Sequence, residues 1–148
     1  DEDVLGIKEL SYLVKDLFFN RPKEERKGNF SVTASASCFV PKPFTPFQWV
    51  KQESIDEFTR KAYLVKDNIK DNKVTFNYHD AELSYVEAVF ARGDRRLSEV
   101  LLEAWKKGCR FDGWSEHFKY DLWLKTFEDV SIDGDFYAIR MKYSLGTL

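Results

Sequence analysis

The chain has 148 residues, of which 43% are hydrophobic and 16% aromatic, so it has enough apolar side chains for a globular core and is not intrinsically disordered. Its formal net charge of -2 excludes a general electrostatic attraction to nucleic acid or to an anionic membrane. The two cysteines, Cys38 and Cys109, fit neither a disulfide framework nor a zinc motif, and no apolar run is long enough for a membrane helix. We therefore expect a cytoplasmic protein that forms one domain, or one piece of a larger one.

Residues 3–19 predict an amphipathic helix, because apolar side chains recur at steps of three and four residues. We expect one face of this helix to be buried, with the following stripe: Val4, Ile7, Leu10, Leu13, Val14, Leu17 and Phe18. The charged segment at residues 23–28 that follows predicts a solvated loop.

Residues 30–38 predict a β-strand with two different faces, because apolar and hydroxyl-bearing side chains alternate strictly. The hydroxyl face consists of Ser31, Thr33, Ser35 and Ser37. The alternation alone favours a solvent-facing position for these hydroxyls, and a polar, ligand-filled interior is the alternative. Three prolines then predict a stiff loop over residues 39–49.

The remaining elements are predicted mainly as helices. The capping box of Ser54 and Glu57 predicts a second helix, and the alternation at residues 74–78 predicts a second short strand. Helical stripes follow at residues 83–90 and 97–105, with Gly108 at a C-terminal cap position, and a further helix is predicted over residues 116–128. The sequence therefore predicts an α/β region over residues 1–79 and a mainly helical extension over residues 80–148.

Three arginines lie close together in the segment from residue 92 to residue 96. One interpretation is a helix junction in which Asp94 caps the second helix and Gly93 adopts a left-handed turn. The other is an anion site in which Arg92, Arg95 and Arg96 bind a phosphate or carboxylate. The junction is favoured, and both interpretations stay open at this point.

Other polar and aromatic residues give weaker signals for a site. His79 with Asp80 is an acid/base pair or metal ligand on one interpretation and a hydrogen-bonded turn on the other, and the turn is favoured. His117 is similarly interpreted as a packed or capping residue. We assign the indoles of three tryptophans to the core: Trp105, Trp114 and Trp123. Nucleotide-binding glycine loops, HExxH and GxSxG are absent from the sequence.

Three segments resemble the C-terminal part of an uncharacterised radical S-adenosylmethionine (radical SAM) family, whose members often carry a cobalamin-binding-like segment. These segments are Phe39–Trp49, Glu87–Leu97 and Ala104–Phe118, and the resemblance extends over nearly the whole chain. Two positions depart from the family pattern: Cys38 replaces a threonine-like residue, and Phe44 replaces a frequent histidine. The opening residues are similar to an internal segment of the family, so we expect the polypeptide to continue upstream of Asp1.

The resemblance implies a fold as well as a family. The chain would be the C-terminal fragment of a partial (β/α)6 TIM-like radical SAM barrel, followed by the helical extension. Residues 3–19 would be the fifth barrel helix and residues 30–38 the sixth strand. The hydroxyl face of that strand would then point into the barrel interior and not to solvent, and the proline loop would border the open end.

The resemblance also implies a function for the full-length protein. Such an enzyme holds a [4Fe–4S] cluster on a CxxxCxxC loop and cleaves S-adenosylmethionine to a 5'-deoxyadenosyl radical, which acts here on an unknown substrate, with RNA as one candidate. Cobalamin is a further cofactor to consider. The expected cofactor-binding residues are Lys42, Thr45 and Phe47 in the proline loop and Ser35 and Ser37 on the strand.

This chain lacks the CxxxCxxC loop, so we expect it to carry no cluster, no metal ligand and no catalytic residue, and to be inactive alone. Its partner would be the rest of its own polypeptide. Two alternatives belong to other classes: a non-catalytic module that binds RNA or another polyanion through the arginine cluster, and a purely structural scaffold.

Overall fold

A computed structural model describes residues 1–140, and within this range the chain forms six α-helices and one two-stranded sheet. In chain order the elements are α1 (Glu2–Phe19), a short 3₁₀ helix (Lys23–Glu25), β1 (Val32–Ala36), α2 (Ile55–Asn68), β2 (Val74–Tyr78), α3 (Ala81–Arg92), α4 (Leu97–Lys106), α5 (Tyr120–Asp129) and α6 (Gly134–Ala138). The last eight residues of the predicted extension, 141–148, lie outside the described residues.

The chain divides into two compact units. The first unit comprises residues 1–38 and 56–79, and the second comprises residues 39–55 together with the chain from Asp80 onward. The proline loop, which lies between β1 and α2 in sequence, therefore belongs to the second unit. The predicted division into residues 1–79 and residues 80–148 stays a prediction.

The prediction that this chain forms a fragment of a (β/α)6 barrel is wrong. β1 and β2 pair in parallel, in a register that runs from Val32 beside Val74 to Ala36 beside Tyr78. Every element described after Tyr78 is a helix, so residues 1–140 supply no third strand. A barrel wall needs many tilted and staggered strands, which this pair cannot provide. The fold is mixed and rich in helix.

The first unit is built on the apolar face of the strand pair. Helix α1 packs against both strands, and the ring of Phe18 stacks on that of Phe30, with 4.7 Å between centroids. Lys15 Nζ forms a salt bridge with Asp71 Oδ2 at 2.8 Å, which joins α1 to the turn before β2. These contacts fix α1 on one side of the sheet.

The burial predicted for α1 is wrong for most of its apolar stripe. Leu10, Leu13 and Leu17 are 62% to 70% exposed, and Val14 is 41% exposed. Ser11 is buried instead, and its hydroxyl donates a hydrogen bond to the Ile7 carbonyl at 2.7 Å, which satisfies the side chain in the interior. We call Leu10, Leu13, Val14 and Leu17 the exposed α1 stripe.

The second unit has a continuous apolar core around α3. Helix α3 packs against α5 and α6, and α4 packs against α5. Asp80 caps α3 by accepting from the Leu83 backbone N–H at 2.9 Å, and Asp133 caps α6 in the same way. The buried cluster comprises Tyr85, Val86, Ala88, Val89, Leu97, Val100, Ala104, Cys109, Trp123, Phe127, Tyr137 and Ala138.

The end of α4 confirms one prediction and the segment after it corrects another. Gly108 has φ of +97°, as the predicted C-terminal cap requires. The next helix begins at Tyr120 and not at residue 116, since residues 111–117 form turns. Trp123 is buried, but Trp105 and Trp114 are 57% and 65% exposed, so their assignment to the core is wrong.

Within residues 1–140, no helix combines the length and the apolar character that crossing a bilayer requires.

Candidate functional site

One face of the strand pair carries only small polar side chains. Neighbours in a parallel register share a face, so Thr33 lies beside Thr75 and Ser35 beside Asn77. All four side chains are exposed, as are Ser31 and Ser37 at the ends of β1. We call this surface the polar sheet face and define it as Ser31, Thr33, Ser35, Ser37, Thr75 and Asn77.

The exposure of this face corrects the interior position that the resemblance implied. The hydroxyls of Ser31, Thr33, Ser35 and Ser37 are open to solvent, in agreement with what the alternation alone favours. Thr75 and Asn77 were not predicted as site residues, although the alternation at residues 74–78 was visible. Their proximity to Ser35 depends on a parallel register that sequence does not reveal.

The six side chains of the polar sheet face can bind a ligand by hydrogen bonds. Each hydroxyl donates one hydrogen bond and accepts others, and the Asn77 amide does both. Parallel sheets usually have both faces covered, whereas here α1 covers one face and the hydroxyl-bearing face is bare. A polar small molecule or a polar protein surface suits such a face.

The proline loop presents the other predicted cofactor residues in the second unit. Lys42 Nζ forms a salt bridge with Glu87 Oε1 at 2.7 Å, so its charge is already engaged. The Thr45 hydroxyl donates to the Lys42 carbonyl at 2.7 Å and so fixes the turn. Phe47 is 60% exposed and contacts Phe39 edge to face. Ser35 and Ser37 belong to the first unit and these three residues to the second.

Arg92 lies in the interior of the second unit. It is 4% exposed, and its Nη1 donates to the Val50 carbonyl at 3.0 Å and to the Ala138 carbonyl at 3.1 Å. Burial lowers the pKa of its guanidinium from the usual value. Gln52, which is 1% exposed, donates to the Ser84 carbonyl at 3.0 Å. The two side chains hold the end of the proline loop against α3 and α6.

The other two arginines of the cluster are exposed. Arg96 binds Asp94 through two guanidinium nitrogens, with Nη2 2.8 Å from Oδ2. This guanidinium is the main reason that the pKa of Asp94 lies well below its usual range. Arg95 has no such carboxylate contact among the described residues. Binding of an anion by the cluster stays a prediction, and Arg92 is buried whereas Arg95 and Arg96 are exposed.

The junction between α3 and α4 requires glycine for a reason other than the predicted left-handed turn. Gly93 has φ of -71°, which any residue adopts. A Cβ at this position would lie 1.9 Å from Leu97 Cδ1 and 2.8 Å from the Val89 carbonyl oxygen, so close approach of the two helices requires glycine. Asp94 Oδ1 accepts from the Arg96 backbone N–H at 3.0 Å and caps the turn that leads into α4.

The histidines and cysteines do not form a metal site in the part of the chain that the structure describes. His79 continues the strand ladder through its N–H to the Ala36 carbonyl at 3.1 Å, and Asp80 after it is a helix cap. His117 is exposed beside Phe111. Within residues 1–140, no group of three His, Cys, Asp or Glu side chains could hold a metal ion.

The cysteines also fail to fit an iron–sulfur cluster. Such a cluster needs at least three thiolate ligands, and the sequence has two cysteines. Cys38 lies in the first unit, and Cys109 is buried in the second. The donor set of this chain therefore does not match the cluster of a radical SAM enzyme.

Comparisons of the chain with protein-family models, with curated proteins and with solved structures found no match. The functional assignment therefore depends on the chain's own sequence segments and on the geometry of its two units.

Proposed function

We propose that this chain is the non-catalytic part of a cytoplasmic radical SAM enzyme, and that it contributes hydrogen-bonding surface to a cofactor or substrate site. The observation that carries the proposal is the ordered series of segments Phe39–Trp49, Glu87–Leu97 and Ala104–Phe118, which resembles this family over nearly the whole chain. The activity proposed for the complete enzyme is reductive cleavage of S-adenosylmethionine. The cluster belongs to another part of the same polypeptide, because this chain lacks the three thiolates.

The polar sheet face supports a role in binding. S-adenosylmethionine and hydroxylated substrates present ribose hydroxyls, amino groups and carboxylates, which pair with serine, threonine and asparagine side chains. Ser35 and Ser37, together with Thr75 and Asn77, offer such groups side by side on one bare face. The six residues that define the face carry hydroxyl and amide groups, which suits a role in binding, and the exposed His79 continues the ladder beyond Asn77.

The first unit also supports the proposal that further polypeptide packs against it. Only Ser11, Val65 and Val74 are buried in this unit, although it contains an 18-residue helix and two strands. The exposed α1 stripe presents four large apolar side chains on one helix face. Apolar patches of this kind mark interaction surfaces in soluble proteins. The occupant we propose is the part of the same polypeptide that carries the cluster loop.

The test uses the product of the complete reading frame that encodes this chain, purified without oxygen. With S-adenosylmethionine and a strong reductant, we expect formation of 5'-deoxyadenosine. A full-length product without a CxxxCxxC loop, or one that holds a cluster yet forms no 5'-deoxyadenosine, would refute the proposal. This chain alone, treated with iron and sulfide, should bind no cluster, and a stoichiometric cluster on it would also contradict the proposal.

Substitutions separate a binding role from a scaffold role. In the complete enzyme, Ser35→Ala with Ser37→Ala removes two hydrogen-bonding groups, and we expect the KM for S-adenosylmethionine or for the substrate to rise about tenfold. Ser98→Ala, at an exposed serine of α4 in the other unit, is the matched control. Unchanged kinetics in the double variant, and in Lys42→Ala and Thr45→Val, would favour the scaffold alternative.

The structure gives less support to the polyanion-binding alternative than to the radical SAM proposal, because Arg92 is buried and Arg96 is paired with Asp94. A titration with RNA at two salt concentrations tests it, since phosphate contacts release counterions and weaken steeply with salt. Salt-sensitive binding that Arg95→Ala abolishes would favour this alternative over the radical SAM proposal.

A further inference from the structure

A pocket of the second unit lies between α4 and α5, outside the surfaces used in the proposed function. It has a volume of about 440 Å³ and is lined by Leu101, Leu102, Trp105, Cys109, Asp112 and Trp123, among others. Most of these side chains are apolar, and Asp112 is the single carboxylate among the lining residues. Pockets that bind small molecules have this composition, with apolar walls and a few polar groups that fix orientation.

A large aromatic side chain of this pocket is exposed, and so are two that lie close to its lining residues in the sequence. Trp105, which lines it, is 57% exposed, and Phe111 and Trp114 in the following turns are 72% and 65% exposed. The Arg110 guanidinium lies 4.8 Å from the centre of the Trp105 ring. Exposed aromatic rings combined with arginine are the groups on which nucleic-acid bases stack.

The Asp112 carboxylate gives the pocket a hydrogen-bond acceptor that can accept further hydrogen bonds. Its Oδ1 accepts from Trp123 Nε1 at 3.4 Å, which is long for a hydrogen bond of this type. Among residues 1–140, Asp112 takes part in no salt bridge shorter than 4.0 Å. The half-buried carboxylate can therefore accept further hydrogen bonds from a ligand that carries donors.

The charges around the pocket select the kind of ligand. Arg110 brings a positive charge to the edge of the pocket, because its guanidinium lies over the Trp105 ring that lines it. Lys107 is paired with Asp129, whereas Arg110 and Lys119 are exposed. An ammonium ligand would be repelled by these cations, whereas a ligand with an anionic group and a flat donor-bearing ring would be attracted.

We propose that this pocket binds the base of a guanine nucleotide. The base stacks on the exposed part of the Trp105 indole, the Asp112 carboxylate accepts from the N1–H and the 2-amino group of guanine, and the phosphate lies near Arg110. Guanine presents two adjacent donors that match the two carboxylate oxygens. Adenine and cytosine place a ring-nitrogen acceptor beside their amino group, which a carboxylate disfavours.

Binding of free nucleotides to the chain tests the base preference. We expect isothermal titration calorimetry at low salt to show GMP binding at least about tenfold tighter than AMP or CMP, the difference made by one unmatched hydrogen-bond pair. Equal affinity for GMP and AMP, or no binding of GMP at millimolar concentration, would overturn the proposal.

Two variants assign the preference to residues. Asp112→Asn replaces one carboxylate acceptor by an amide donor, which matches the ring nitrogen and amino group of adenine, so it should remove the preference for GMP and strengthen AMP binding, with Asp67→Asn on α2 as the control of equal charge change. Trp105→Leu should weaken all nucleotides about tenfold through lost stacking. Phe44→Leu, at a side chain that is 98% exposed, is its control. A GMP preference that is retained in Asp112→Asn would refute the role of the carboxylate. If Asp112→Asn fails to fold, Trp105→Leu still tests the proposal, because Trp105 is exposed.

The guanine could belong to a free nucleotide or to a single RNA strand, and a further arm distinguishes these sources. A seven-nucleotide strand with one guanine is compared with the same strand carrying adenine and with GMP. Tighter binding of the guanine strand, with a steeper loss on adding salt, identifies RNA. Affinity equal to that of GMP identifies the free nucleotide. Failure of nucleotide binding leaves the proposed radical SAM function untouched, because the two use different residues.

Discussion

The two units of this chain bury their apolar side chains to very different extents. In the second unit, twelve apolar residues from α3 to α6 form one buried cluster. In the first unit, only Val65 and Val74 among the apolar residues are buried, and the exposed α1 stripe remains at the surface. The first unit has the longest helix and the only described sheet. The difference therefore shows that regular secondary structure can form without an extensive buried core.

The same comparison assigns different sources of stability to the two units. Removal of apolar area from water is the dominant favourable term, and the second unit obtains it from its buried cluster. The first unit relies more on salt bridges, such as Lys15 with Asp71 and Arg60 with Asp1, whose partners are partly or largely exposed. Exposed ion pairs contribute little to stability. We therefore expect the first unit to be the less stable of the two on its own.

Core truncation gives the largest expected effect. Phe127 is 3% exposed and packs on Trp123 and Phe90, so Phe127→Ala should lower the free energy of unfolding by about 3–5 kcal/mol. All four tryptophans belong to the second unit, so tryptophan fluorescence in urea reports its unfolding. The control is Leu13→Ala in the exposed α1 stripe, which should cost less than about 0.5 kcal/mol by circular dichroism. Comparable losses in both variants would contradict the comparison.

Loss of the buried guanidinium comes next. Arg92→Met removes the side-chain donor to the Val50 carbonyl and one of two donors to the Ala138 carbonyl, which still accepts from the Gln52 backbone N–H, and we expect a cost of about 1–3 kcal/mol in urea unfolding. Arg95→Met, at an exposed position, should change stability by less than about 0.5 kcal/mol. An Arg92→Met variant of undiminished stability would show that this side chain is available for another role.

The two thiols offer a kinetic comparison between the units. Cys109 is 6% exposed, and burial raises the pKa of its thiol, whereas Cys38 is half-buried. The thiolate is the reactive form, so at pH 8 a thiol reagent should label Cys109 about tenfold more slowly than Cys38. Mass spectrometry of the labelled peptides measures both rates in one sample, and faster labelling of Cys109 would mean that the second unit opens more readily than the first.

The smallest effect concerns a surface pair of α2. A hydrogen bond from Arg60 is the main reason that the pKa of Glu57 falls from 4.5 to about 2. Because the folded-state pKa is lowered, the stabilisation is present above pH 4.5 and is lost as the pH falls toward 2. Arg60→Leu should raise the pKa of Glu57 toward 4.5 in carboxyl NMR titrations, whereas Arg21→Leu should leave it unchanged. A low pKa that persists in Arg60→Leu would assign the shift to other groups.

The positions of the first two helices were predictable from the sequence, because they depend on local signals. The helix predicted over residues 3–19 is Glu2–Phe19, and the one predicted after Ser54 begins at Ile55. Periodicity, however, identifies the faces of a helix and does not say which face is covered. Leu13 and Leu17 were therefore predicted inside and lie outside, while Ser11 takes the interior position.

The candidate sites were less predictable, because they depend on contacts between residues distant in sequence. The hydroxyl face of β1 was visible as an alternation, but its extension by Thr75 and Asn77 requires the register of β2. Arg92 resembled its neighbours in sequence and is buried because two carbonyls, 42 and 46 residues away, accept its hydrogen bonds. The aromatic pocket went unnoticed because tryptophans are usually interior, and Trp105 is not.

The contribution of residues 39–55 to the second unit decides how this protein can be divided for expression. A truncation that begins at Asp80 would keep α3 to α6 but discard Gln52 and the Val50 carbonyl that accepts from Arg92. In the truncated protein, the Arg92 guanidinium and the face of α3 that is buried in the full chain would each lack some of their contacts. The shortest contiguous product that retains these partners starts near Phe39, and it necessarily carries α2 and β2 as an inserted segment.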